Sequence, residues 1–203
     1  LEDADGRALA AGSSVADNSR AQMASGEVRA FDATTGALRW TFHPLPKDSP
    51  TGGANAWSRI VVDEQRELAF IPTGSASPDY FGGKRTGNNE FANSVVALKA
   101  ATGEVVWHFQ TVHHDLWDYD VASPPLLYPS GSVPAVAVGS KSGHVFLLNR
   151  MTGAPLFPVT ERAVVSWDSL QGQLGDPLME YADKIGRLIA GLSSGFKPET
   201  CNI

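Results

Sequence analysis

Residues 107–120, WHFQTVHHDLWDYD, gather the densest set of side chains able to do chemistry, with His113 and His114 beside Asp115, Asp118 and Asp120. Histidines and aspartates so close together suggest a metal site such as zinc. Adjacent residues of a strand point to opposite faces, however, so His113 and His114 meet one ion only across a bend, and the geometry disfavours that reading. The segment follows an apolar strand, and loops held by a rigid sheet are where function tends to sit. Taken alone, Asp118 is either a functional carboxylate or a turn-capping aspartate. Trp57 in GANAWS and Lys141 in Gly139-Ser140-Lys141-Ser142-Gly143 read by themselves as a core tryptophan and an exposed loop lysine.

The elements that must position these residues are visible as a repeat. VRAFDATTGALRW (28–40), VVALKAATGEVVW (95–107) and VFLLNRMTGAPLF (145–157) share an alternating apolar strand, a turn ending in Thr-Gly and a second strand ending on a large aromatic. Each is a β-hairpin. Glycine suits a turn position with positive φ, and the aromatic ring at its fixed distance can pack over the neighbouring repeat's turn. Repeats of roughly 40–50 residues built from short strands are propeller blades, each burying its faces against its neighbours; a β-sandwich with coincidental hairpins is the alternative. Further strands are expected over 59–62 and 67–72, and a polar, turn-rich loop over 78–93.

Composition agrees. The chain has 203 residues with 20 glycines and 13 prolines, and only 19% of its residues are charged, which favours short strands and many turns. Its net charge of −6 and lack of clustered Lys and Arg argue against a nucleic-acid partner. The single cysteine, Cys201, excludes an intrachain disulfide and leaves the compartment open. No apolar run is long enough to span a membrane, and the opening Leu1-Glu2-Asp3 is no signal peptide. The abrupt start reads as that of an internal segment of a longer protein.

HFQTVHHDLWDYD (108–120), together with GANAWS (53–58), IPTGSASPDYFGG (71–83), NSVVAL (93–98) and FPVTER (157–162), resembles the pyrroloquinoline-quinone-dependent dehydrogenases, most closely the membrane-type quinoprotein glucose dehydrogenase branch. The likeness covers about 11–162. It implies an all-β fold, about three blades of an eight-bladed propeller, over 1–163. The tail, 164–203, is unmatched, and Leu178, Tyr181, Ala182, Ile185, Leu188, Ile189 and Leu192 follow helical spacing behind Asp176-Pro177, so a C-terminal α-helix is expected over 177–192.

The resemblance also implies roles. Asp118 becomes the base that takes a substrate hydroxyl proton as hydride leaves carbon. Trp57 becomes the floor on which the quinone (PQQ) stacks, and Lys141 the cation beside its reactive oxygens. A calcium ion (Ca²⁺) would be held by Asp17, Asp118 and position 75. There the family's better-known members carry Asn, and Ser75 is a shorter and weaker donor; Asp17 replaces the usual Glu. The implied activity is oxidation of an aldose sugar or an alcohol, with electrons passed to a quinone or other respiratory acceptor, at a periplasmic location or the periplasmic face of the inner membrane. Three blades do not close a ring, so the isolated chain is expected to be inactive. A non-catalytic propeller-like scaffold or assembly protein is the alternative; joint retention of Trp57, Asp118 and Lys141 favours the enzyme.

Overall fold

Leu68, Ala69, Phe70 and Ile71 are consecutive and all buried, which a strand achieves only when both faces of its sheet are covered. The structure, a computed structural model, describes residues 9–15 and 18–162. Asp17, the tail 164–203 and the helix expected over 177–192 lie outside the described residues. Among the described residues every regular element is a strand, and all strand pairs are antiparallel.

Three sheets follow one another along the chain. The first holds β1 (Leu9–Ser13), β2 (Val28–Asp32) and β3 (Leu38–Phe42). The second has four strands, β4 (Val61–Asp63), β5 (Leu68–Pro72), β6 (Ser94–Lys99) and β7 (Val105–Gln110). The third holds β8 (Leu126–Ser130), β9 (Val133–Gly139) and β10 (Val145–Asn149). The expected strands at 59–62 and 67–72 correspond to β4 and β5, and the 78–93 loop carries no strand.

The period of two divides the central sheet between its neighbours. Ala69 and Ile71 of β5, with Val96 and Leu98 of β6, join Val28, Ala30, Trp40 and Phe42 of the first sheet in one core. The alternate residues Leu68, Phe70, Val95 and Ala97 join Val136, Val138 and Leu148 of the third sheet in another. Sheets stacked face to face in chain order form successive propeller blades.

The Thr-Gly turns fasten the stack. In each repeat the glycine N–H donates to the carbonyl four residues earlier, Gly36 to Asp32, Gly103 to Lys99 and Gly153 to Asn149, each at 2.8 Å, and each glycine has positive φ, from 71 to 75°. A side chain on Gly103 would meet the Trp40 ring at 2.6 Å, and one on Gly153 would meet Trp107 at 2.6 Å. Trp40 donates its indole N–H to Ala100 O at 3.0 Å and Trp107 to Arg150 O at 2.9 Å. Each ring therefore caps the turn of the following blade. Phe157, the third member of the series, is 64% exposed, because no further Thr-Gly turn follows it among the described residues. The third sheet's outer strand is reduced to the Leu148–Pro155 bridge, since Pro155 and Pro158 have no N–H to extend the ladder.

A buried ion pair joins the second and third sheets. Arg150 reaches from the end of β10 to Asp63 of β4 at 2.7 Å, and also donates to Ala135 O and Tyr128 O. Burial alone would raise the Asp63 carboxyl, but the hydrogen bond and charge of Arg150, helped by Arg66, hold it below its usual value. A carboxyl depressed in the folded state stabilises the fold above the unfolded pKa, about 3.9, and that contribution is lost as pH falls through the folded value. Asp63→Ala is therefore expected to destabilise the protein by about 3 kcal/mol at neutral pH. This is the lower end for stranding a buried charge, because Arg150 keeps its carbonyl acceptors. Urea unfolding of both proteins at several pH values should show the gap closing below about pH 4.

Candidate cofactor and catalytic site

Four loop segments meet at one end of the central sheet. β5 ends opposite the start of β6 and the end of β7, with Pro72 paired to Val95 and Ser94 to Gln110. Residues 73–75 continue from β5, and 111–120 continue from β7. The segment 53–57 runs beside the first of these, with Ala54 N–H donating to Ser75 O at 2.7 Å and Gly74 N–H to Asn55 O at 2.9 Å. The turn between β9 and β10 closes the group, Lys141 N–H donating to Asp120 O at 2.9 Å.

Asp115 folds the loop that presents Asp118. Its carboxylate, 1% exposed, accepts the backbone N–H of Trp117 at 2.9 Å and of Tyr119 at 2.7 Å. It also accepts the Ser75 hydroxyl at 2.5 Å and the Asn93 amide at 2.8 Å. A carboxylate accepting two backbone N–H groups just downstream makes a tight Asx-type turn. That turn leaves Asp118 at a φ of 59°, in the left-handed region that Asp tolerates better than most residues.

Lys141 is the centre of charge. Its Nζ lies 2.8 Å from Asp118 Oδ2 and 2.7 Å from Asp120 Oδ2, and 5.4 Å from the centroid of the Trp57 ring. Burial pulls the ammonium pKa down, but the hydrogen bonds and charges of the two carboxylates outweigh it and hold the group well above the ordinary lysine value. Burial raises the Asp118 carboxyl above its usual value; the Lys141 hydrogen bond opposes this and the Asp120 charge adds to it. A carboxylate shifted up is a stronger base than a free one, and a lysine shifted up is a permanent cation at neutral pH.

Trp57 is locked at one edge and open elsewhere. Its indole N–H donates to Asp120 Oδ2 at 3.0 Å while 46% of the residue stays exposed. An aromatic face held in place beside a cation fits a planar, electron-poor, anionic ring system such as pyrroloquinoline quinone. Trp57, Asp118 and Lys141, expected from the sequence to share one site, thus converge from distant parts of the chain. Ser75 is beside them, but its hydroxyl donates to Asp115 and accepts from Asn93 at 2.9 Å, leaving one lone pair for any cation. Among the described residues no group of three or more His, Cys, Asp or Glu is placed to hold a metal. The histidines turn elsewhere, His113 to Gln110 and Glu161 and His114 to Gly87 O.

Two residues of the site carry no assigned role in the sequence, Asp115 and Asp120. Asp115 reaches Asn93 and Ser75, 22 and 40 residues away, and Asp120 reaches Lys141, Ser75 and Trp57, 21, 45 and 63 residues away, so no local pattern reveals these contacts. The one available signal is the Asp-x-x-Asp-x-Asp spacing itself.

Residues 6–175 match the model of the PQQ-dependent glucose/ethanol/alcohol dehydrogenase β-propeller domain. The chain is 41% identical over 167 residues to quinoprotein glucose dehydrogenase A of Acinetobacter calcoaceticus, covering 74% of this chain and 21% of that protein. It is 39% identical over 175 residues to the quinate/shikimate dehydrogenase (quinone) of Acinetobacter baylyi, covering 78% of this chain and 22% of that one. Among solved structures, a quinohemoprotein alcohol dehydrogenase from Pseudomonas putida superposes with a TM-score of 0.64 at 27% identity, over 73% of this chain and 26% of that one. The chain thus spans about a fifth of the length of the curated relatives it matches. With the stacked blades, the Thr-Gly repeat and the matched domain in agreement, the chain belongs to the PQQ-dependent dehydrogenase β-propeller family.

Proposed function

We propose that this chain supplies the catalytic carboxylate and one wall of the quinone site in a PQQ-dependent dehydrogenase that oxidises an aldose sugar or an alcohol. The observation that carries the reading is the meeting of Trp57, Lys141 and Asp118 through one ammonium group. When bound, the quinone supplies a planar two-electron acceptor. Trp57 offers the face against which it rests. Lys141 places a fixed positive charge 5.4 Å from the centroid of the Trp57 ring, where it stabilises negative charge developing during oxidation. Asp118, with its carboxyl raised by burial, accepts the hydroxyl proton of the substrate.

A calcium ion enters this proposal through Asp118 together with Asp17, with Ser75 the weakest of the three oxygens. Electron transfer to a quinone or other respiratory acceptor, and a place in the periplasm or at the periplasmic face of the inner membrane, follow from the same reading and rest on the family resemblance.

The test uses the complete protein that carries this chain. Reconstituted with PQQ and Ca²⁺, it is expected to reduce a dye acceptor in the presence of an aldose or alcohol. Treatment with a chelator before reconstitution is expected to abolish turnover, and added Ca²⁺ to restore it. Failure to bind PQQ under any of these conditions would remove the proposal.

A further inference from the structure

We infer that Asp120 is a positioning residue that pre-assembles the quinone site, holding the Trp57 ring and the Lys141 ammonium in register before the cofactor arrives. The inference rests on the function proposed above and adds a residue to it.

The carboxylate of Asp120 is buried, and both of its oxygens are engaged. Oδ1 accepts the Ser75 backbone N–H at 2.6 Å. Oδ2 accepts the Trp57 indole N–H at 3.0 Å and the Lys141 ammonium at 2.7 Å. The first bond ties the carboxylate to the segment that follows β5. It sits so close to that backbone that a side chain on Gly74 would meet Oδ1 at 2.7 Å. The other two bonds reach outward to side chains that are themselves partly exposed, Trp57 at 46% and Lys141 at 35%.

That asymmetry separates a role in ligand binding from a role in the fold. The core gains little from ordering an exposed lysine and the exposed face of a tryptophan, and fixing them costs side-chain entropy. A ligand that meets them already ordered is spared that cost on binding. The indole has a single donor, so giving it to an immobile carboxylate fixes the ring's orientation. Hydrogen bonding to an anion also pushes electron density into the ring, which strengthens its contact with an electron-poor partner and with the neighbouring ammonium. One carboxylate oxygen thereby couples the stacking surface to the cation.

A double-mutant cycle on the complete protein tests this coupling. Trp57→Phe keeps an aromatic face and removes the N–H that Asp120 accepts; Asp120→Asn keeps the shape and removes the charge. The readout is the dissociation constant for PQQ, titrated through quenching of tryptophan fluorescence, with thermal melting recorded alongside. Asp120→Asn is expected to weaken binding about tenfold or more, and Trp57→Phe several-fold. The double variant is expected to be little worse than Asp120→Asn alone, because the two substitutions break one shared interaction. Effects that multiply independently would overturn the inference, and so would an unchanged constant in Asp120→Asn. If Asp120→Asn does not melt cooperatively, Asp120→Glu retains the charge but displaces both donors, and it is expected to weaken binding similarly. Absence of folded protein in both variants would mark Asp120 as a residue of the fold and also overturn the inference. A wild-type protein that binds no PQQ removes the proposed function and this inference together. Wild-type binding with independent effects leaves the function standing and removes only the inference.

Discussion

Replacing Asp118 by Asn in the complete protein is expected to lower turnover by on the order of 10² or more while leaving quinone binding nearly intact. The substitution is unusually clean at this position. Asp118 has a φ of 59°, and Asn tolerates that left-handed region as well as Asp does, whereas Ala would add backbone strain. The Asn carbonyl can still accept the Lys141 ammonium, which donates to Oδ2 at 2.8 Å. The loop itself is held by Asp115, which the substitution does not touch. What is removed is proton acceptance and one of the two negative charges facing Lys141, whose contact with Asp120 at 2.7 Å remains. Steady-state dye reduction measures the loss, and a PQQ titration shows whether the cofactor still binds. Undiminished turnover would exclude Asp118 as the base.

How far apart interacting residues lie in the chain decides which contacts are legible in the sequence. The hairpins at 28–40 and 95–107 were legible because their determinants are local, an alternating strand, a glycine at positive φ and an aromatic at fixed spacing. The docking of Trp40 on Gly103 and of Trp107 on Gly153 fits the expectation of a ring over a neighbouring turn. The third repeat is less regular than its sequence promised, because Pro155 and Pro158 interrupt its outer strand and Phe157 meets no following turn. In the site, Trp57, Asp118 and Lys141 could be named from motifs that resemble a known family. Asp115 and Asp120 were only members of an acidic cluster until folding brought Ser75, Asn93 and Trp57 to them. Hydrogen bonds across such separations leave no periodic trace in a single sequence. Their residues look like any polar loop.

Removing the cation at the centre of the site should be nearly as damaging as removing the base. Lys141→Ala is expected to reduce turnover by on the order of 10²–10³, the usual cost of losing a preorganised group that stabilises developing charge. Two carboxylates hold the Lys141 ammonium well above its ordinary pKa, so at neutral pH it acts as a fixed charge and does not exchange protons during the reaction. Its loss also leaves Asp118 and Asp120 facing each other without the cation that now contacts both, at 2.8 and 2.7 Å, and uncovers the neighbouring Trp57 ring. Lys141→Arg keeps the charge but spreads it over a planar fork that cannot occupy the same point between two carboxylates and a ring. It is therefore expected to recover only part of the activity. The measurement is turnover of the reconstituted protein at saturating PQQ, with thermal melting to verify the fold. Turnover in Lys141→Ala equal to that of the unsubstituted protein would show that the site needs no charge at this position, and the assignment of Lys141 to the reacting end of the cofactor would fall.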